Sequence, residues 1–116
     1  AITFTERLEI TNDGRGLSQF TAKAWVRVNM NGGHSTVDSH NISSISDGGT
    51  GVCTVNIATD PANANYGVVA APYDTSNGSE SVSSIGTGTF TVKVSLVISS
   101  GVSFYDRGFT AVVFGD

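Results

Sequence analysis

The chain has 116 residues and a net charge of -4, and only 14% of its residues are charged, against about 25% in an ordinary soluble domain. The lack of clustered Lys and Arg excludes non-specific nucleic-acid binding. The single cysteine, Cys53, excludes a disulfide scaffold. No apolar run approaches the roughly 20 residues of a membrane-spanning helix, so we expect no membrane insertion. The length favours one β domain, residues 1–116. The low number of charged residues favours an oligomer, because a surface with few charges is usually covered by a partner.

Alternation of apolar and polar residues with period two is the repeated signal along the chain. No window has the spacing of an amphipathic helix, and clusters of Gly, Asn, Asp and Pro separate the alternating segments. We therefore predict an all-β fold, an antiparallel β-sandwich or jelly-roll-like arrangement of about eight strands. The predicted strands are 2–10, 21–30, 34–46, 52–58, 66–71, 81–85, 89–99 and 109–114.

The first predicted strand, Ile2 to Ile10, has apolar residues at Ile2, Phe4, Leu8 and Ile10, with mostly Thr and charged residues between them. The turn sequence Asn12 to Gly16 follows it.

The second strand has two different faces. Successive side chains alternate, so Ala24, Val26, Val28 and Met30 should face the core. Lys23, Trp25 and Arg27 then share the opposite face. A tryptophan between two cations predicts a subunit interface or a ligand platform, since aromatic residues and Arg are enriched at interfaces. The alternative is a surface Trp sheltered by the Lys and Arg stems. A one-residue bulge would instead place Trp25 in the core.

Two further strands differ in polarity. His34 to Ser46 is predicted as one polar strand, whereas Tyr66 to Ala71 is apolar on both faces. The latter pattern predicts a central strand that is covered on both sides.

The chain contains an internal repeat. Its first copy consists of Ile42-Ser-Ser-Ile, Gly49-Thr-Gly and Thr54-Val-Asn-Ile, and its second copy consists of Val82-Ser-Ser-Ile, Gly86-Thr-Gly and Thr91-Val-Lys-Val. Both stretches are predicted hairpins, whether they arose by duplication or by convergence in a Ser-, Thr-, Gly- and Val-rich chain.

Catalytic motifs are missing from the sequence. There is no Gly-x-Ser-x-Gly elbow, His-Glu-x-x-His, P-loop or dinucleotide fingerprint, and the acidic residues are scattered singly. We expect no enzyme and no cofactor.

A metal site is a weak alternative. On one strand, His34 and His40 would lie about 20 Å apart and could not share an ion, whereas Asp38 and His40, about 7 Å apart, could do so with ligands from a second chain. The competing interpretation is a solvated polar face without metal.

Two predicted loops each combine a tyrosine with an acidic residue and flexible neighbours. The aromatic ring can stack on a sugar ring, and the acidic side chain can hydrogen-bond the sugar hydroxyls. Loops on a rigid scaffold are where binding residues concentrate. At each loop, the alternative is a Tyr that packs over the end of the sandwich. The candidate binding residues are Tyr73, Asp74, Asn77, Tyr105, Asp106 and Arg107.

The chain resembles a C-terminal tip domain of tailed-bacteriophage tail fibres and related virion proteins. The matching motifs are Lys-Ala-Trp-Val at Lys23 to Val26, the Ser-Ser-Ile-x-Asp-x-Gly-Thr-Gly-x-x-Thr-Val-Asn run from Ser43 to Asn56, Ala-Asn-Tyr at Ala64 to Tyr66, and Val-Phe-Gly at Val113 to Gly115. The resemblance covers roughly residues 22–116.

This resemblance implies a homotrimer at the distal end of a fibre, in the virion, that binds a host-surface glycan or protein during adsorption. It implies contacts with other virion or tail proteins, and residues 1–20 become a candidate connector strand to a preceding fibre segment. The family has no shared catalytic residues, and its receptor contacts lie in variable loops, so no site residue is transferred by motif. Two alternatives stay open: a structural virion module such as a fibre collar or capsid decoration, and a carbohydrate-binding module without a receptor role.

Overall fold

The computed structural model describes residues 22–73 and 78–115. These ranges contain nine β-strands and no helix that is long and apolar enough to span a membrane. The strands are β1 (Ala22–Asn29), β2 (Ser35–His40), β3 (Ile42–Gly49), β4 (Val52–Ile57), β5 (Gly67–Pro72), β6 (Gly78–Ser83), β7 (Thr89–Ile98), β8 (Gly101–Phe104) and β9 (Gly108–Phe114).

The strands form two antiparallel sheets, consistent with a β-sandwich. The four-stranded sheet has the order β2-β1-β9-β5, and the five-stranded sheet has the order β3-β4-β7-β6, with β8 paired to the far end of β7. The core lies between the sheets because the inward positions of both are apolar at every second residue. Its buried members are Ala24, Val26, Val28, Met30, Cys53, Val55, Ile57, Tyr66, Phe90, Val92, Val94, Phe109, Ala111 and Val113.

The predicted apolar face of β1 is confirmed, whereas Lys23, predicted beside Trp25 on the opposite face, is buried. Ala24, Val26, Val28 and Met30 are fully buried, and Trp25 is half-buried on the opposite side. A register shift does occur in β1, between Ala22 and Ala24 of its pairing with β9, but it precedes Trp25 and leaves it out of the core.

The prediction of one polar strand from 34 to 46 is wrong, because the chain changes sheets at Asn41. Asn41 has a left-handed φ of 58°, a conformation that Asn tolerates better than most residues. Its side-chain amide donates to the carbonyls of Lys23 (3.1 Å) and Thr59 (3.2 Å), and its side-chain oxygen accepts the Thr59 N–H (2.8 Å). These bonds fix a corner between β2 in one sheet and β3 in the other.

The prediction that residues 66–71 form a strand covered on both faces is not met among the described residues. Within the described residues β5 is an edge strand that pairs with β9 alone, and Val69 on its outer face is 64% exposed. The described ranges contain nine strands where seven of the eight predicted strands fall, because 34–46 divides and β8 was not predicted. The predicted strand 2–10 lies outside the described residues.

Both predicted hairpins are confirmed, as β3 pairs with β4 and β6 with β7. In each Gly-Thr-Gly sequence the second glycine lies against another part of the chain. A Cβ at Gly51 would overlap the Val94 carbonyl oxygen, and one at Gly88 would overlap the Asp60 carboxylate. Glycine is required at Gly51, where the neighbours are backbone atoms and φ is +71°, whereas at Gly88 the Asp60 side chain would have to move.

Candidate functional site

Tyr73, the first residue of one predicted loop, lies at the same end of the sandwich as the other predicted loop, residues 105–107. Tyr73, directly after β5, donates its N–H to the Gly108 carbonyl (3.2 Å), and Gly108 directly follows the loop 105–107. The Tyr105 N–H in turn bonds to the Val94 carbonyl (3.2 Å). We call this region the loop end. Asp74 and Asn77 belong to residues 74–77, which lie outside the described residues.

Tyr73 is held in place as a packing residue. Its hydroxyl donates to the Val28 carbonyl at 2.8 Å, and the Arg27 guanidinium carbon lies 4.5 Å from the centre of its ring. The ring also covers Gly108, where an added Cβ would overlap it. The alternative interpretation of this residue, a tyrosine packed over the end of the sandwich, therefore describes its contacts best.

Asp106 connects three segments that are distant in sequence. Its Oδ1 atom accepts the Gly51 N–H at 2.7 Å and lies 3.3 Å from Nε2 of His34. The same Nε2 atom is 3.5 Å from Oδ1 of Asp47. The His34 side chain is 3% exposed, whereas the carboxylates of Asp106 and Asp47 are 40% and 58% exposed. We call these four residues the Asp106 cluster.

The environment of Asp106 favours its charged form. The backbone hydrogen bond from Gly51 lowers the pKa of the Asp106 carboxyl, burial opposes this, and His34 lowers the pKa further. Donation by His34 to the carboxylate requires a proton on Nε2. Its other ring nitrogen, Nδ1, is buried without a hydrogen-bond partner among the described residues. The cluster therefore fastens the turn before β4 to the loop 105–107.

An apolar ribbon extends from the loop end. β8 pairs with β7 from Ser95 to Ile98, past the last residue that pairs with β4, Lys93. Val97, Val102 and Phe104 lie on one face of this ribbon, and they are 55%, 68% and 51% exposed. Tyr105 follows directly and is 38% exposed. These side chains form an exposed apolar patch next to Asp106 and Arg107.

The outer face of the four-stranded sheet has an apolar row. The register places His40, Trp25, Val112 and Val69 side by side across all four strands. Phe114, 37% exposed, lies on the same face of β9 as Val112. We call this surface the Trp25 face.

The next row of the Trp25 face contains Asp38 opposite Arg27, an acidic and a basic residue on neighbouring strands. Lys23, which the sequence placed beside Trp25, is instead buried at 3% exposure. Trp25 and Arg27 therefore remain the two predicted interface residues with accessible side chains, and the pairing of Arg27 with Asp38 leaves this face nearly neutral.

The outer face of the five-stranded sheet is polar by contrast. Its central row consists of Ser46, Thr54, Thr91 and Ser83, and the Thr54 and Thr91 hydroxyls lie 3.3 Å apart. The outer face of the five-stranded sheet is thus hydroxyl-lined along this row, whereas the exposed Val97, Val102 and Phe104 lie on the same face at its β7–β8 end.

The weak metal candidates lie on the Trp25 face. His40 is opposite Trp25 and Asp38 is opposite Arg27, with the Asp38 carboxylate accepting the Ser39 N–H at 2.8 Å. No group of three or more His, Cys, Asp or Glu in ranges 22–73 and 78–115 is arranged to hold a metal ion. His34, which the sequence placed on this strand, lies instead in the Asp106 cluster.

Sequence reasoning missed the roles of Gly51, His34 and Gly108. The Gly-Thr-Gly echo was the only local signal for Gly51, because a repeated glycine after a hairpin tip can mark a close backbone approach. Nothing in the sequence pairs His34 with Asp106, which is 72 residues away.

No protein-family model matches the chain, and no curated protein or solved structure is significantly similar to it.

Proposed function

We propose that the chain is the C-terminal tip domain of a tailed-bacteriophage tail fibre or a related virion protein. In this proposal it is a jelly-roll-like homotrimer at the fibre tip. It binds a host-surface glycan or outer-surface protein during adsorption, and it acts without catalysis or a cofactor.

One observation supports the receptor-binding part of the proposal: Tyr73 and the loop 105–107 lie at one end of the sandwich, beside the exposed ribbon of β7 and β8. Attachment at a fibre tip requires contact residues at one end of an elongated assembly. Tyr105, Asp106 and Arg107 are there together, and Tyr105 is the more accessible of the two loop tyrosines. Loops on a rigid β scaffold can vary without loss of the fold.

The Trp25 face supports the proposed homotrimer. The partly exposed Trp25 and Val112 and the exposed Val69 form an apolar row there that ends at His40, and Arg27 and Asp38 are opposite charges on neighbouring strands. An apolar surface of this kind is typical of a face that a partner covers. We place this face toward the threefold axis and the hydroxyl-lined face toward solvent.

Sedimentation equilibrium tests the assembly. We expect a mass three times that of the 12.0 kDa chain. Val69→Asp places a charge in the apolar row at an exposed position, so the monomer should fold while the trimer dissociates. Ser46→Asp adds the same charge to the hydroxyl-lined face and should remain trimeric. A monomeric parent protein would contradict the proposal and favour the carbohydrate-binding module.

Adsorption to host cells tests receptor binding. Tyr105→Ala should reduce binding of the labelled protein by about tenfold, the effect of one important aromatic contact. The matched control is Ile85→Ala, because Ile85 is also 38% exposed but lies next to Gly86, whose carbonyl accepts the Tyr66 hydroxyl at the opposite end of the sandwich. A trimer that does not bind cells would favour the structural virion module.

A further inference from the structure

The turn between β1 and β2 contains an Asn-Gly sequence at an exposed position. Asn31, Gly32 and Gly33 are all exposed, and the Gly33 N–H bonds to the Met30 carbonyl at 3.4 Å, so residues 30–33 form a tight turn. Gly32 has a left-handed φ of 75°, and nothing lies within 4 Å of the position that a Cβ would take at Gly32 or at Gly33. The described part of the chain therefore does not shield the peptide bond between Asn31 and Gly32.

Asn31 differs from the other asparagines in ranges 22–73 and 78–115. Four of these use the side-chain amide in a hydrogen bond, namely Asn29, Asn41, Asn56 and Asn63. Among the described residues, the side-chain amides of Asn31 and Asn65 make no hydrogen bond. Asn65 precedes the large and buried Tyr66, whereas Asn31 precedes a glycine. Asn31 thus combines a side chain that can rotate with a following nitrogen that no side chain hinders.

An asparagine in this setting can react with its own backbone. The Gly32 nitrogen attacks Cγ of Asn31, and the new C–N bond closes a five-membered imide ring. The Gly32 nitrogen gives up its proton, and Nδ2 of Asn31 leaves as ammonia. Water then adds to one of the two imide carbonyls and opens the ring, which yields aspartate or isoaspartate. Glycine favours the attack because it has no Cβ beside the nitrogen and the most permissive backbone.

We propose that Asn31 is a site of spontaneous deamidation in the folded protein. The product has a carboxylate in place of a neutral amide, so the net charge of -4 becomes one unit more negative. The change falls at the loop end, because the preceding Met30 donates its N–H to the Arg107 carbonyl (2.7 Å) and His34, three residues further on, belongs to the Asp106 cluster. This end of the sandwich therefore becomes more acidic as the protein ages. The inference does not depend on a receptor or on a trimer.

Incubation of the folded full-length chain at mildly alkaline pH tests the proposal, because hydroxide assists removal of the Gly32 proton. Peptide mass spectrometry gives the fraction of each asparagine in which NH2 has been replaced by OH, and fragmentation assigns the change to a residue. We expect Asn31 to react at least about tenfold faster than Asn65, a difference of about 1.4 kcal/mol in activation free energy. Asn65 is the matched control within the same molecule, since it is also exposed. Asn31→Gln should stay unmodified at position 31, because the longer side chain would have to close a six-membered ring.

Three results would overturn the proposal. Equal rates at Asn31 and Asn65 would show that the turn gives Asn31 no advantage. Reaction at Asn31 only after unfolding in urea would show that the folded turn protects it. A change confined to Asn77, which also precedes a glycine, would locate the reaction elsewhere in the chain.

A matched pair of variants separates the chemistry from the conformation of the turn. Gly32→Ala adds a methyl group beside the attacking nitrogen and should slow the reaction at Asn31. Gly33→Ala adds the same group one residue later, also at a positive φ and in open space, and should leave the rate close to that of the parent. Equal slowing in both variants would contradict an attack by the Gly32 nitrogen.

Discussion

Gly51 is the position where replacement by alanine should be most informative about the loop end. Its φ is +71°, and an added Cβ would overlap the Val94 carbonyl oxygen and lie 2.9 Å and 3.0 Å from the backbone N and O of Tyr105. All three neighbours are backbone atoms, so they cannot move aside by rotating a side chain. Gly51→Ala must therefore separate the turn before β4 from the segment at Tyr105.

The magnitude follows from the contacts that would be lost. The left-handed φ costs a non-glycine residue about 1 kcal/mol. The hydrogen bond from the Val94 N–H to the Gly51 carbonyl (2.7 Å) contributes about 1 kcal/mol. The hydrogen bond from the Gly51 N–H to the Asp106 carboxylate (2.7 Å) contributes about 1.5 kcal/mol. This value is the low end for a charged acceptor, because the carboxylate is 40% exposed. The sum is a loss of about 3–4 kcal/mol of unfolding free energy.

Comparison with Gly32→Ala separates the cost of backbone strain from the cost of steric overlap at the added Cβ. Gly32 has nearly the same φ, +75°, but nothing lies within 4 Å of the position that an alanine Cβ would take there, so only the strain of about 1 kcal/mol applies. Urea unfolding can be followed by the fluorescence of Trp25, the single tryptophan. The proteins are compared at one concentration, since self-association would shift the midpoint. A Gly51→Ala variant that is no less stable than Gly32→Ala would refute the reasoning.

Two further predictions concern titratable groups. Because the pKa of Asp106 is lowered in the folded protein, its stabilising effect should be present above its unfolded pKa of about 3.9 and disappear as the pH falls through the folded value. Asp106→Asn should thus be less stable than the parent near pH 6, and the two urea midpoints should converge as the pH falls below the folded pKa of Asp106; a constant difference would contradict this. Burial, with a smaller contribution from Asp47, raises the pKa of the Cys53 thiol to about 11. Iodoacetamide should therefore leave the native protein unmodified at about pH 8 but alkylate the protein unfolded in urea. Rapid modification of the native protein would show that Cys53 is accessible.

The core was predictable because its pattern is local. The alternation of apolar and polar residues in 22–30 and 89–98 predicted which side chains face inward, and the tight-turn sequences predicted the two hairpins. Both signals depend on neighbouring residues, and side-chain direction in a strand follows from sequence parity alone.

The edges of the sheets could not be predicted in the same way. The apolar residues 66–71 have the composition of a covered central strand, yet β5 is an edge strand in the described part of the chain. Whether a strand has one neighbour or two depends on pairing with distant segments. The corner at Asn41 was missed for a related reason, since its partner residues Lys23 and Thr59 are each 18 residues away.

The candidate site likewise has features that the sequence predicts and features that depend on the tertiary structure. The sequence by itself determined that the chain is all-β, which faces of its strands are apolar, and which loops combine tyrosines with acids. Only the tertiary structure decided that Tyr73 packs on Gly108 and that Asp106 bonds to Gly51, 55 residues away. The physical reason is that alternation and turn chemistry act between neighbours, whereas a hydrogen bond or a close backbone approach depends on where the whole chain places its ends.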